Sequence, residues 1–130
     1  MKFDKLASYA PALVRYGVAL VFILLGVSQL VDPMDWYALF PDQVLLSGLS
    51  IHQTVLFNGS FDILIGALLL VGLFTRVVTA IATLHMLIVI VVIGTDYYTI
   101  AVRDAGVLLA SLSSFLRGPD KLCLDKKIFH

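Results

Sequence analysis

The chain has 130 residues, of which 60% are hydrophobic and 14% charged, with nine Lys/Arg balanced by nine Asp and no Glu. Soluble domains average about 45–50% apolar and about 25% charged residues, so a small neutral chain this apolar is not a soluble monomer, a disordered segment or a nucleic-acid binder with a basic face. One cysteine excludes an internal disulfide and any Cys-rich metal or iron–sulfur site. In chain order, four long apolar runs fall at about 12–31, 54–74, 77–95 and 99–116. Each has about 18–21 residues, the length that crosses a hydrocarbon core of about 30 Å as a helix. Backbone groups in lipid must be paired internally, and none of these runs alternates as a barrel strand does. The expected fold is therefore all-α: an integral membrane four-helix bundle forming one domain, 1–130, with an outer loop at 32–53 and a tail at 117–130. The first run has a basic start, but Gly26-Val27-Ser28-Gln29-Leu30 leads into Val31-Asp32-Pro33 with no small-x-small cleavage site, so it reads as a retained span.

Charge sets the orientation. Lys2, Lys5 and Arg15 lie near the N-terminus, Arg76 between the second and third spans, and Arg117, Lys121, Lys126 and Lys127 after the fourth. The loop at 32–53 has no Lys or Arg and three Asp, so eight of nine basic residues fall on one side of an even number of spans. The positive-inside bias then places both termini in the cytoplasm. Trp36, Tyr37, Tyr97 and Tyr98 mark the outer interface, Tyr9 and Tyr16 the inner one. Within the loop, 44–51 has the composition of a short interfacial helix.

Lipid gives helices little hydrophobic reason to associate, so small and polar residues must hold them together. Gly59 and Gly66 lie two turns apart in the second span, where Asn58, Asp62 and Gly66 share a face. In the fourth span Gly106, Ala110 and Ser114 form a small-residue stripe expected to face the bundle, with Arg103 projecting from it. Asp62 and His85 are each about nine residues into their spans, near the bilayer midplane. Arg103 and Asp104 lie about one turn into the fourth span, Asn58 one turn outward of Asp62, and Gln29 at the outer end of the first span.

An ionised group at that depth is unfavourable by at least about 2.5–3.5 kcal/mol. Arg103 stays charged and needs a carboxylate, which Asp62 or Asp104 can supply. One reading is an internal salt bridge that merely holds the bundle. The other, preferred here, is a buried polar pocket open to the outer side. In it Asp62 and His85 would be the catalytic pair, the imidazole giving and taking a proton, and Arg103, Asp104, Asn58 and Gln29 would bind substrate. His52 and His85 differ in depth by about 12 Å, too far to clamp one haem iron. No metal, flavin, haem or iron–sulfur site is supported. Cys123, between Leu122 and Leu124, reads as a residue buried at the membrane surface rather than a redox thiol.

The sequence resembles the DoxX family of small prokaryotic membrane proteins along nearly its whole length. Leu13-Val14-Arg15-Tyr16-Gly17 and Gly26-Val27-Ser28-Gln29-Leu30 resemble its first span, with Gln29 where relatives often carry Lys. Asp32-Pro33, Trp36 and Pro41 resemble the outer loop of one subgroup. Asn58-Gly59-Ser60-Phe61-Asp62, continuing through Gly66 to Thr75-Arg76, resembles its second span, where the acid at Asp62 is often Glu. Leu84-His85-Met86, Val102-Arg103-Asp104 and Gly118-Pro119-Asp120-Lys121-Leu122-Cys123-Leu124-Asp125 resemble later segments, often with Ser at Cys123. Some relatives are linked to thiosulfate:quinone oxidoreductase and others to oxidative-stress complexes. The resemblance thus implies a four-helix protein of the plasma membrane in a redox neighbourhood, with quinone as the expected cofactor.

Three functions follow as expectations. The first is a quinone-linked redox subunit, in which Asp62 and His85 supply protons, Arg103 and Asn58 hold an oxygen or an anionic reductant, and electrons come from the substrate or a redox protein partner. The second is a scaffold that recruits a cytoplasmic enzyme through Lys121, Lys126 and Lys127. The third is a proton-coupled small-solute transporter, for which a homodimer would be expected. In each the lipid bilayer is the constant partner.

Overall fold

The structure, a computed structural model, describes residues 2–42, 48–94 and 96–129. A short helix α1 (Lys2–Ala7) leads into α2 (Ala10–Val31), where Pro11 occupies the first turn, a position that needs no backbone N–H. Pro33 then starts a 3-10 segment, Pro33–Leu39, that the apolar pattern did not foretell. Of the interfacial helix expected at 44–51, residues 44–47 lie outside the described residues, Gly48 is in a turn, and Ile51 already opens the next span.

That span, α3 (Ile51–Val71), begins three residues before the apolar run because a cap sets its start. Ser50 Oγ accepts the Gln53 N–H at 3.2 Å, and Gln53 Oε1 accepts the Ser50 N–H at 3.0 Å. It ends at Val71 because Gly72 turns left-handed at φ 70. Phe74 is also left-handed, at φ 50, and the chain re-enters a helix at once in α4 (Thr75–Ile93). The last span is α5 (Tyr98–Arg117), and the chain closes with the short α6 (Leu124–Ile128). The described residues contain no strand, and four helices are long and apolar enough to cross a membrane.

Helices α2 and α3 pack most intimately, α4 packs on α5, and α2 also touches α5. Glycine permits the first contact. A Cβ on Gly26 would lie 2.6 Å from the Gly59 carbonyl oxygen, and one on Gly66 2.8 Å from that of Ala19. Backbones this close give dispersion contact without needing a hydrophobic drive. Ala19, Phe22, Ile65, Leu69, Ala82 and Met86 belong to the core these helices share.

The fourth span departs from expectation. Gly106 is exposed, with nothing within 4 Å of where a Cβ would stand, so the Gly106-Ala110-Ser114 stripe does not turn inward as a unit. The buried residues of α5 are Asp104, Ser111 and Ser114. Hydrogen bonding accounts for this rotation at Ser111, which accepts from Thr83 at 3.1 Å and donates to the Leu108 carbonyl at 3.0 Å. An unmade polar pair in lipid outweighs a smooth surface.

Candidate functional site

Although α3 and α4 share a three-residue turn, they touch far less than α2 and α3 do. Away from the turn they part around a cavity of about 250 Å³, lined by all four spans, by Trp36 and Leu39 of the 3-10 segment and by Phe40 just after it. That segment is tied down at three points. Trp36 Nε1 donates to Ser28 Oγ at 3.1 Å, the Tyr37 hydroxyl meets His52 Nδ1 at 2.7 Å, and the Tyr97 hydroxyl donates to the Ala38 carbonyl at 3.4 Å.

The cavity wall is mostly apolar, with one polar network. Asp62, 3% exposed, receives Gln29 Nε2 at 2.9 Å and Asn58 Nδ2 at 3.2 Å on the same oxygen, Oδ2. Asn58 Nδ2 also donates to Gln29 Oε1 at 2.8 Å, which closes a three-residue ring. The other carboxylate oxygen, Oδ1, makes no well-aligned hydrogen bond, and His85 Nε2 lies 3.2 Å from it. The His85 ring packs at a tilt against Phe61, at 5.2 Å between ring centroids, and against Phe22, at 6.1 Å. With Nε2 turned toward Asp62, Nδ1 has no protein partner among the described residues. Asp62 thus stands within ion-pair distance of an imidazole whose second nitrogen stays open.

Arg103 and Asp104 line the same cavity but pair with each other. Nε and Nη2 of Arg103 both reach Asp104 Oδ1 at 2.9 Å. Asp104 is buried, and the Arg103 side chain is 53% exposed. Of the two carboxylates the sequence offered Arg103, the adjacent one holds it. All six residues singled out from the sequence therefore line one cavity, as two groups: Gln29–Asn58–Asp62–His85, and Arg103–Asp104. His52, bonded to Tyr37, lies outside it.

A second polar cluster lies at the opposite end, where the sequence points to a buried Cys123, a Gly-Pro-Asp element and basic residues but to no pairing between them. Arg15 is 1% exposed. Its Nε donates to Asp120 Oδ2 at 2.7 Å, its Nη1 donates to the Leu69 and Leu70 carbonyls, and its guanidinium lies 4.5 Å over the Tyr16 ring. Burial pushes the Asp120 carboxyl upward, but Arg15 and the Leu122 N–H outweigh it and hold it below its ordinary value. Asp125 caps α4 from 50 residues away: its two oxygens accept the N–H groups of Phe74 and Thr75, each at 2.7 Å. Burial again acts upward, and these bonds hold Asp125 low as well. Cys123 is fully buried between them and accepts from the Thr75 hydroxyl and the Asp120 N–H, both at 3.3 Å. Two signals are present in the sequence: Arg15, a cation inside the first span that reads there as charge, and Gly-Pro-Asp at the start of the tail, which reads as a family element.

Fold and cavity together define a class, a small integral membrane protein of four spans with a largely apolar hollow between them that carries one polar network. A family model, DoxX, matches residues 10–95. The chain belongs to the DoxX family, by a match that runs from α2 to the end of α4 and stops before α5 and the tail. No curated protein and no solved structure matches it.

Proposed function

We propose that the cavity receives the ring of a lipid-soluble quinone, and that the protein acts as a proton-handling, quinone-linked redox or oxidative-stress subunit of the plasma membrane, with both termini cytoplasmic. The observation that carries this reading is the Asp62–His85 pair, braced by Gln29 and Asn58, in the wall of an otherwise apolar cavity. A volume of about 250 Å³ lies just under the roughly 300–1,000 Å³ of drug-sized sites, which suits one ring. Phe57 on α3 and Ile88 on α4 line the cavity and are each more than half exposed, so it reaches the lipid-facing side between those helices. A quinone supplies two carbonyl oxygens and takes up two protons with two electrons. His85, protonated at Nδ1, is the donor that would meet an oxygen, with Asp62 beside its Nε2, while both amide hydrogens of Asn58 are given to Gln29 and Asp62. Arg103 is neutralised by Asp104, which favours an uncharged ring over an anionic reductant at this spot. The two electrons then come from outside the chain, from a reduced sulfur anion or a partner's redox group.

Trp36, the single tryptophan, lines the cavity and serves as the reporter. With full-length protein in nanodiscs, a short-chain quinone should quench its fluorescence saturably, and His85→Gln or Asp62→Asn should weaken the apparent affinity by about tenfold, as for a lost hydrogen bond to a charged group. Quenching that never saturates, or that both variants leave untouched, would remove the proposal. A second reading, recruitment of a cytoplasmic enzyme, is favoured by the exposure of Lys121, Lys126 and Lys127 beside the docked tail. It predicts that replacing those three lysines abolishes the cellular phenotype while His85→Gln preserves it.

A further inference from the structure

At the end of the bundle opposite the Asp62–His85 cavity, a hollow of about 140 Å³ lies between the start of α2 and the end of α5. Ala10, Pro11, Arg15, Ser113, Ser114 and Arg117 line it, with Thr75, Gly118 and Asp120 beside them. Three separate features point to a ligand. Ser114 is 8% exposed, yet its Oγ has no hydrogen-bond partner among the described residues. A helical serine can bond the carbonyl one turn back, and a buried hydroxyl left unpaired is destabilising. Arg117, exposed in the last turn of α5, has no ion-pair partner among the described residues. Helix α2 opens with no side-chain cap and no acidic residue in its first turn, and its first two residues, Ala10 and Pro11, line the hollow.

The local charge is favourable to an anion. Asp120 is the acidic group present, and Arg15 takes up its charge at 2.7 Å. Arg117 remains, and the Arg76 guanidinium packs against Gly118 at the rim, close enough that a Cβ there would meet Nε at 2.7 Å. Pro11 and Arg117 sit in the terminal turns of their spans, which places the hollow at headgroup depth. Basic pockets of this kind between membrane helices suit anionic headgroups. We propose that this hollow binds a phosphate group, the phosphodiester of an anionic phospholipid, with Arg117, Ser113 and Ser114 as its donors.

The test uses full-length protein in nanodiscs of phosphatidylcholine alone, phosphatidylcholine with phosphatidylglycerol, and phosphatidylcholine with inorganic phosphate. Retained lipid is read by native mass spectrometry and stability by thermal unfolding. Phosphatidylglycerol should be retained and should raise the unfolding temperature. Arg117→Gln should cut retention by about fivefold, the effect of one arginine at headgroup depth, and Arg117→Lys should restore most of it. Ser114→Ala should unfold at or above the parent temperature in phosphatidylcholine, since it removes an unpartnered buried hydroxyl, and should lose the gain from phosphatidylglycerol. Lys5→Gln, an equal loss of charge elsewhere at the same end, should change neither. If inorganic phosphate alone reproduces the gain and both cavity variants erase it, the site stands with the free anion as its occupant. Retention unchanged in Arg117→Gln and Ser114→Ala, or equally reduced in Lys5→Gln, would overturn the proposal.

Discussion

The Asp125 carboxylate accepts two backbone N–H groups that α4 cannot satisfy within itself, and so fastens the tail to the turn after α3. Asp125→Ala should destabilise the protein by about 1–2 kcal/mol, the range for a lost N-cap, measurable by thermal unfolding in detergent. The same carboxylate predicts an acid response. Asp120 and Asp125 are both held below the ordinary 3.8, so they bind fewer protons folded than unfolded. Their stabilisation is complete above that value and is lost as pH falls below it through their lowered values. Unfolding temperature should therefore decline as pH drops below about 4, and the decline should be shallower in Asp125→Ala. At the same scale, Asp62 and His85 were legible as isolated polar residues at matching depth, because depth is a count along one helix. The Arg15–Asp120 pair was not, because its members are 105 residues apart.

At the scale of elements, glycine decides which helices approach. Gly66 faces the α2 backbone, whereas Gly106 faces open space. Gly66→Val should thus lower stability by about 1–3 kcal/mol through overpacking. Gly106→Ala should be neutral or stabilising by up to about 1 kcal/mol through helix propensity. A matched pair of unfolding curves separates them, and equal losses would contradict the rotation of α5 described above. The small-residue periodicity of α5 held at Ala110, which packs on the core, and at buried Ser114, but misled at Gly106, because a four-residue spacing defines a face without saying what all of it meets. The buried face instead follows Asp104, Ser111 and Ser114, whose polar atoms are poorly tolerated in lipid. Similarly, hydropathy misplaced the start of α3 by three residues, since the Ser50–Gln53 capping box is a local hydrogen-bond motif rather than an apolar one.

For the molecule as a whole, four spans bring both ends of the chain to one end of the bundle, and the Arg15–Asp120 contact joins them there. With Cys123 fully buried, cysteine labelling has a quiet background. Asp35→Cys should react with a membrane-impermeant thiol reagent in intact cells, and Phe129→Cys only after permeabilisation. The reverse pattern would invert the orientation drawn from the basic residues.

Span number, an all-helical fold, the basic end and the family all come from sums along the chain: apolar length, charge position and local motifs. Those sums survive without knowing how any helix is turned. The cavity between α3 and α4, the separation of Arg103 from Asp62 and the clip made by Arg15, Asp120 and Asp125 depend on how helices rotate and cross. Close backbone approach at Gly26, Gly59 and Gly66 and polar pairs between distant segments set those angles, and neither has a counterpart in linear order.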